Sequence, residues 1–271
     1  MCLPACHLPP RIGGMVCDVE DPLAPLMELA EVADAMEQAR ADVDRALWHR
    51  ALRNNGAAVA TEVSLRCAVA SAALEGAEYD LDDVRAGTVT DPLVQGALRV
   101  ATELPTLADK WTAAPRQVLA RLHLLAARDL GDEDDLGRPN IDRDGSVRLA
   151  TLCVLISSKT SLPAALVAAV VHGELLALRP FEHANGIIAR AAARLTLASR
   201  GLDPRALIAV DTGHARRSPE YTGSSLAFAT GTPDGLRSWL KHYGQAITAG
   251  AEKTTEICNM VQKGSIPSSG N

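Results

Sequence analysis

The sequence predicts a mainly α, single-domain protein, a helical bundle with at most one small β-hairpin. Three observations carry this. Alanine supplies about a sixth of the chain, far above ordinary usage, and it combines the best helix propensity with close helix approach. Apolar residues reach 47% while aromatics reach only 3%, too apolar for a disordered chain and too aromatic-poor for an antibody-like sandwich, a propeller or an RNA-stacking sheet. Finally, no section of the chain is strand-rich.

The helices follow from periodicity and punctuation. Apolar residues at Leu26, Leu29, Val32, Met36, Val43 and Leu47 predict a helix over residues 25–53, ended by Asn54-Asn55-Gly56. An alanine-rich helix spans 57–75 and stops at Gly76. Short helical text covers 80–86, a helix from Pro92 ends before Pro105, and Pro115 opens another to Arg128. The polar stretch 129–145 then intervenes, with the solvated acid run Asp132-Glu133-Asp134-Asp135. Within it, Asn140-Ile141-Asp142-Arg143-Asp144-Gly145 resembles the start of a calcium loop, but Thr151 stands where the bidentate Glu belongs. Arg143-Asp144-Gly145 instead predicts the turn of a small hairpin over 140–149. Ser161-Leu162-Pro163 starts a helix to Leu178 that is apolar nearly all round and therefore central. Pro180 ends it by forcing Arg179 out of the right-handed helical region. Residues 187–199 form a second central helix closed by Gly201, and 233–249 the last. Residues 1–20 read as a loose leader, 21–90 as N-terminal helices, 91–250 as the core and 251–271 as a tail.

A net charge of −6 removes the basic field that nucleic-acid binding needs. No apolar run reaches the roughly 18 residues of a membrane span, because His172, Gly173 and Glu174 interrupt the longest. The N-terminal text lacks an apolar signal core, and Met15 is an alternative start, so the expected location is the cytoplasm. Cys2, Cys6 and His7 have no second pair at metal spacing, so no metal site is expected, and Cys67 and Cys153 read as small buried thiols. Glycine-rich nucleotide loops and serine elbows are missing, with Gly223-Ser224-Ser225 read as a loop. His172 reads as a hydrogen-bonded core histidine, while His49, His123 and His214 carry no assignment.

Chemistry concentrates between the two central helices, in Arg179-Pro180-Phe181-Glu182-His183-Ala184-Asn185-Gly186. This loop delivers the chain into a helix N-terminus, whose unpaired N–H groups and dipole make an anion site that Gly186 leaves open. Arg190 and Arg194 share one face of that helix and need a phosphate, a carboxylate or solvent as partner. Ser71 and Glu75 likewise share one face at the end of the alanine-rich helix. Glu75 is either paired or exposed at the helix end.

These segments resemble the Fic (Fido) family, whose members transfer AMP or a related phosphate-containing group to protein hydroxyls. The family motif is His-Pro-Phe-x-Asp/Glu-Gly-Asn-Gly-Arg-x-x-Arg, and residues 179–190 align with it without gaps. Pro180, Phe181, Asn185, Gly186 and Arg190 match. Ser71, Glu75 and Gly76 match the family's inhibitory motif, Ser/Thr-x-x-x-Glu-Gly/Asn. The resemblance implies a Fic-like bundle with a hairpin flap, Phe181 and Pro180 anchoring the loop, a nucleotide or phosphate site at Asn185, Gly186 and Arg190, and Ser71, Glu75 and Gly76 as the regulatory element. ATP or another nucleotide and a protein target are the implied ligand and partner.

The departures fall on the chemistry. Arg179 replaces the family's base and stays protonated. His183 replaces the carboxylate that holds magnesium, Ala184 a glycine and Ile187 the first arginine. Three readings follow. The first is a phosphate-binding pseudoenzyme or regulatory protein held by a Glu75–Arg190 pair. The second is an active transferase with His183 as a substitute base. The third is a non-catalytic helical scaffold in which the ion pair only locks helices together.

Overall fold

The computed structural model describes residues 21–265; the readings that rest on Cys2, Cys6, His7 and Met15 lie outside them. The described chain folds as twelve α-helices with two 3-10 turns and no strand. At its centre lies an antiparallel pair, α8 (Ala164–Leu178) and α9 (Asn185–Ser199). α8 lacks a polar face, and α9, although Arg190 and Arg194 share one of its faces, is buried from Asn185 to Ala198. A segment of that kind is stable only if other helices cover it on all sides.

Two apolar layers do so. On one side, α3 (Gly56–Ala73), α5 (Pro92–Trp111) and α6 (Pro115–Ala127) bring Ala68, Val100, Leu104 and Leu122 onto Ile187, Ile188 and Leu195. On the other, α1 (Val32–Leu47), α11 (Ser218–Phe228) and α12 (Pro233–Gln262) bring Met36, Tyr221, Trp239 and Tyr243 onto Leu166, Val170 and Leu197. Of the short helices, α10 (Val210–Arg216) packs between α3 and α12, α2 (Ala51–Asn54) against the same two, and α4 (Leu81–Arg85) on α3. Gly213 makes one close approach possible, since a Cβ there would lie 2.0 Å from the Ala246 carbonyl oxygen.

The expected hairpin over 140–149 is a helix, α7 (Arg143–Ser157). Asp142 accepts the Gly145 N–H at 2.7 Å and caps it. The Asp-Gly pair therefore lies in a first helical turn, and Leu149, Leu152, Cys153 and Ile156 follow at helical spacing on the buried face. Pro105 does not stop α5 either. It is exposed, and burial of Leu104, Leu107 and Trp111 carries the helix through, with Trp111 Nε1 donating to Thr196 Oγ1 at 3.0 Å. That packing outweighs the roughly 3 kcal/mol an internal proline costs. The first expected helix breaks at Glu31, whose φ is 65°, and again after Trp48. Gly223, Ser224 and Ser225 lie in α11, not a loop, and the boundary expected at residue 250 falls inside α12.

The alanine-rich helix ends as its glycine predicts. Gly76 has φ +95°, Gly76 N–H bonds Ala73 O, and Ala77 N–H bonds Ala72 O, which is a Schellman cap. The cap fixes Glu75 in the turn just past the end of α3, within reach of Arg190 on α9.

Candidate functional site

The loop from Arg179 to Ala184 is braced from within. Arg179 closes α8 in the left-handed region, with φ 45°, and its side chain is exposed. Asn185 accepts the Phe181 N–H at 3.0 Å and donates to the Phe181 carbonyl at 2.6 Å, so both ends of its amide hold the loop. Phe181 is buried and stacks on His123, ring centroids 4.3 Å apart, as an anchor should. His123 in turn accepts the Gly137 N–H at 2.9 Å. Asn140 reaches the loop twice, donating its N–H to Pro180 O at 2.9 Å and its side-chain amide to Glu182 at 3.2 Å. The His183 ring lies against Gly131, where a Cβ would come within 2.8 Å of Cδ2. Ala184 stands at φ +57°, a conformation that favours glycine.

Arg190, on the first turns of α9, is almost fully buried at 1% exposure. Its guanidinium makes four hydrogen bonds: Nε to Ser71 Oγ at 2.8 Å, Nη2 to Ser71 O at 2.8 Å, Nη2 to Glu75 Oε1 at 2.9 Å and Nη1 to Tyr221 OH at 3.0 Å. Burial works against its charge, yet Tyr221, Glu75 and Asp211 together hold its pKa above the ordinary value. Glu75 is the one of these partners that reaches solvent, its side chain being 26% exposed.

The same carboxylate lies over the start of α9. A Cβ on Gly186 would sit 1.8 Å from Glu75 Oε1, so only glycine leaves room for this oxygen beside the helix N-terminus. An acidic oxygen thus stands where the free N–H groups and dipole of α9 favour an anion. Gly186, Arg190, Ser71 and Glu75 are brought together as the sequence suggested; Asn185 is turned into the loop.

Tyr221 and His172 complete the arrangement, and sequence reasoning missed their link to Arg190. Because arginine only donates, Tyr221 must accept from it, which sends the phenol proton to His172 Nε2 at 3.1 Å. His172 is therefore neutral, in agreement with burial and the Arg190 charge, which keep its pKa well below the ordinary range. The available signal was general: a buried guanidinium needs more acceptors than one carboxylate.

No family model matches the sequence, and no curated protein matches it. Among solved structures, a Fic family protein from Desulfovibrio desulfuricans G20 superposes with a TM-score of 0.69 at 19% identity, over 84% of this chain and 74% of that one. A fragment of Fic-1 from C. elegans gives 0.68 at 17% identity, over 88% of this chain and 75% of that one. The chain has the Fic fold. A variant of the same Fic-1 fragment gives 0.63 at 16% identity.

On this Fic fold the residues do not fit a magnesium ion. His183, an imidazole, holds the acidic position of the motif, and the neighbouring carboxylate Glu182 accepts from Asn140 at 3.2 Å. They do fit a phosphate oxygen, for which Glu75 Oε1 is a chemical stand-in at Gly186 and Arg190. Among the described residues no helix is long and apolar enough to cross a membrane.

Proposed function

We propose that this Fic-fold protein is a phosphate-binding pseudoenzyme or regulatory protein. Its ligand is ATP or another nucleotide, bound without magnesium at the N-terminus of α9, and Glu75 closes the site. The observation that carries the reading is the double placement of the Glu75 carboxylate, on Arg190 at 2.9 Å and in the space that Gly186 leaves free. Removing that carboxylate frees one guanidinium N–H and the helix N-terminus for a phosphate, while Ser71 and Tyr221 keep Arg190 in position. The chain's own residues then bind and orient the ligand. Arg179 cannot take a proton from a target hydroxyl, so no transfer step follows from the motif's first position.

The test is incubation of the full chain and its Glu75→Gly variant with ATP labelled at the α-phosphate, with magnesium and with EDTA, in the presence of a cell lysate. The expected result is saturable binding to the variant in both buffers and no covalent label on any protein. Label transfer that His183→Ala abolishes would overturn this in favour of an active transferase. Failure of both proteins to bind would overturn it in favour of a helical scaffold.

A further inference from the structure

Helices α3, α5, α9 and α10 enclose a cavity of about 10 Å³, lined by Ser71, Arg194 and Asp211 among apolar residues that include Val100, Ile187 and Ala191. That is the room one water needs and no more. Arg194 and Asp211 are each more than nine-tenths buried, yet they are poorly satisfied. Arg194 donates only from Nη2, to Ala206 O at 3.3 Å, and Asp211 accepts no hydrogen bond among the described residues. Their facing atoms, Nη1 and Oδ2, stand 3.6 Å apart, too far for a good hydrogen bond. Nε and Oδ1 are sealed by their neighbours, whereas Nη1 and Oδ2 keep accessible surface.

A buried carboxylate without a hydrogen bond is unfavourable, and a charged pair held this far apart is satisfied by a molecule that bridges it. The bridging molecule must accept from Nη1–H and donate to Oδ2. A cation would be repelled by the guanidinium and an anion by the carboxylate, and the volume excludes a phosphate or any organic group. Water has both functions at this size. Ser71 supplies a third bond. Its Oγ already accepts from Arg190 Nε at 2.8 Å, and its own proton has no acceptor among the described residues, so it is free to donate into the cavity that Ser71 lines. Three bonds are the usual complement of a buried water.

We infer that this cavity is the binding site of one long-lived water, which accepts from Arg194 Nη1–H and the Ser71 hydroxyl and donates to Asp211 Oδ2. The water turns the Ser71 lone pair toward Arg190, so that the two arginines of α9 belong to one hydrogen-bonded network. This site goes beyond the proposed nucleotide site and stands whether or not a phosphate replaces Glu75.

The experiment is ¹⁷O water relaxation dispersion on the full chain and on its Arg194→Met/Asp211→Leu variant, with water–methyl NOE and ROE spectra to place the water. The double variant removes both charges together, which buried pairs often tolerate, and its methyl spectrum reports whether it is folded. The full chain is expected to show cross-peaks from water to the Ile187 and Ala191 methyls, of opposite sign in the two spectra, which mark a long-lived molecule. In the double variant the dispersion amplitude falls by one water and those cross-peaks disappear. Absence of the cross-peaks in the full chain overturns the inference, and does so whether or not the variant folds. A dispersion amplitude unchanged in the folded double variant overturns it as well.

Discussion

Arg190 and Arg194 stand one turn apart on the same face of α9, both buried, yet they are held in opposite ways. Arg190 makes four hydrogen bonds, one of them to a carboxylate that solvent reaches. Arg194 faces the buried Asp211 at 3.6 Å, donates to Ala206 O at 3.3 Å, and leaves its own Nε and Asp211 Oδ1 without partners among the described residues. In the function proposed above, the first is an arginine whose acidic partner exchanges for a phosphate while the others stay. The second is a structural charge with one enclosed counter-charge, where Cys67 also lies, its thiol pushed up to about 12 by burial. A cation that serves ligands needs supports that stay when the anion changes; a cation that only completes a core does not.

The largest expected effect breaks the second arginine. Arg194→Met leaves the buried Asp211 without its nearest counter-charge, with only the Arg190 charge still acting on it, and should cost about 3–5 kcal/mol in urea unfolding. An effect below about 1 kcal/mol would remove the contrast.

Acid titration comes next, because it reaches the support behind Arg190. His172, His214 and His242 are buried and neutral; burial keeps the first two well below 6.5 and His242 at about 4. Below pH 6.5 the unfolded chain therefore binds more protons, and stability falls as pH falls, by about 1.4 kcal/mol per histidine per pH unit. The buried Asp203 and Asp211, whose pKa values burial raises above 3.8, act in the opposite sense. The histidine contribution is therefore read just below pH 6.5, from urea midpoints between pH 7 and 5.5. His242→Gln should reduce that slope by about one proton.

The smallest effect is on the exchangeable partner. Glu75→Gln keeps an acceptor for Arg190 and loses only its charge, so it should change stability by about 1 kcal/mol or less. A loss as large as that of Arg194→Met would make Glu75 a core residue rather than a gate.

Much of this was legible in the sequence because the deciding residues are local. Pro180 and Gly201 bound the central helices, and Ser71, Glu75 and Gly76 announce a capped helix end whose hydroxyl and carboxylate share a face. Where two local rules compete, the sequence misleads. Asp144-Gly145 suits a hairpin turn and the first turn of α7 equally, and only the burial of Leu149 and Ile156 decides. Long-range pairings carry no local signature. His172 reads correctly as a hydrogen-bonded core histidine, but its partner Tyr221 lies in a helix that shows no clear period, and Asn140 reaches Pro180 across the chain.

The central claim is that Glu75 occupies the place of a phosphate. It is tested most directly by the Kd of ATP in EDTA for the full chain and for Glu75→Gly, each with and without Gly186→Ala. Binding is expected to be at least tenfold tighter in Glu75→Gly and to be lost again when a Cβ at position 186 fills the same space. An equal Kd for the full chain and Glu75→Gly would contradict it.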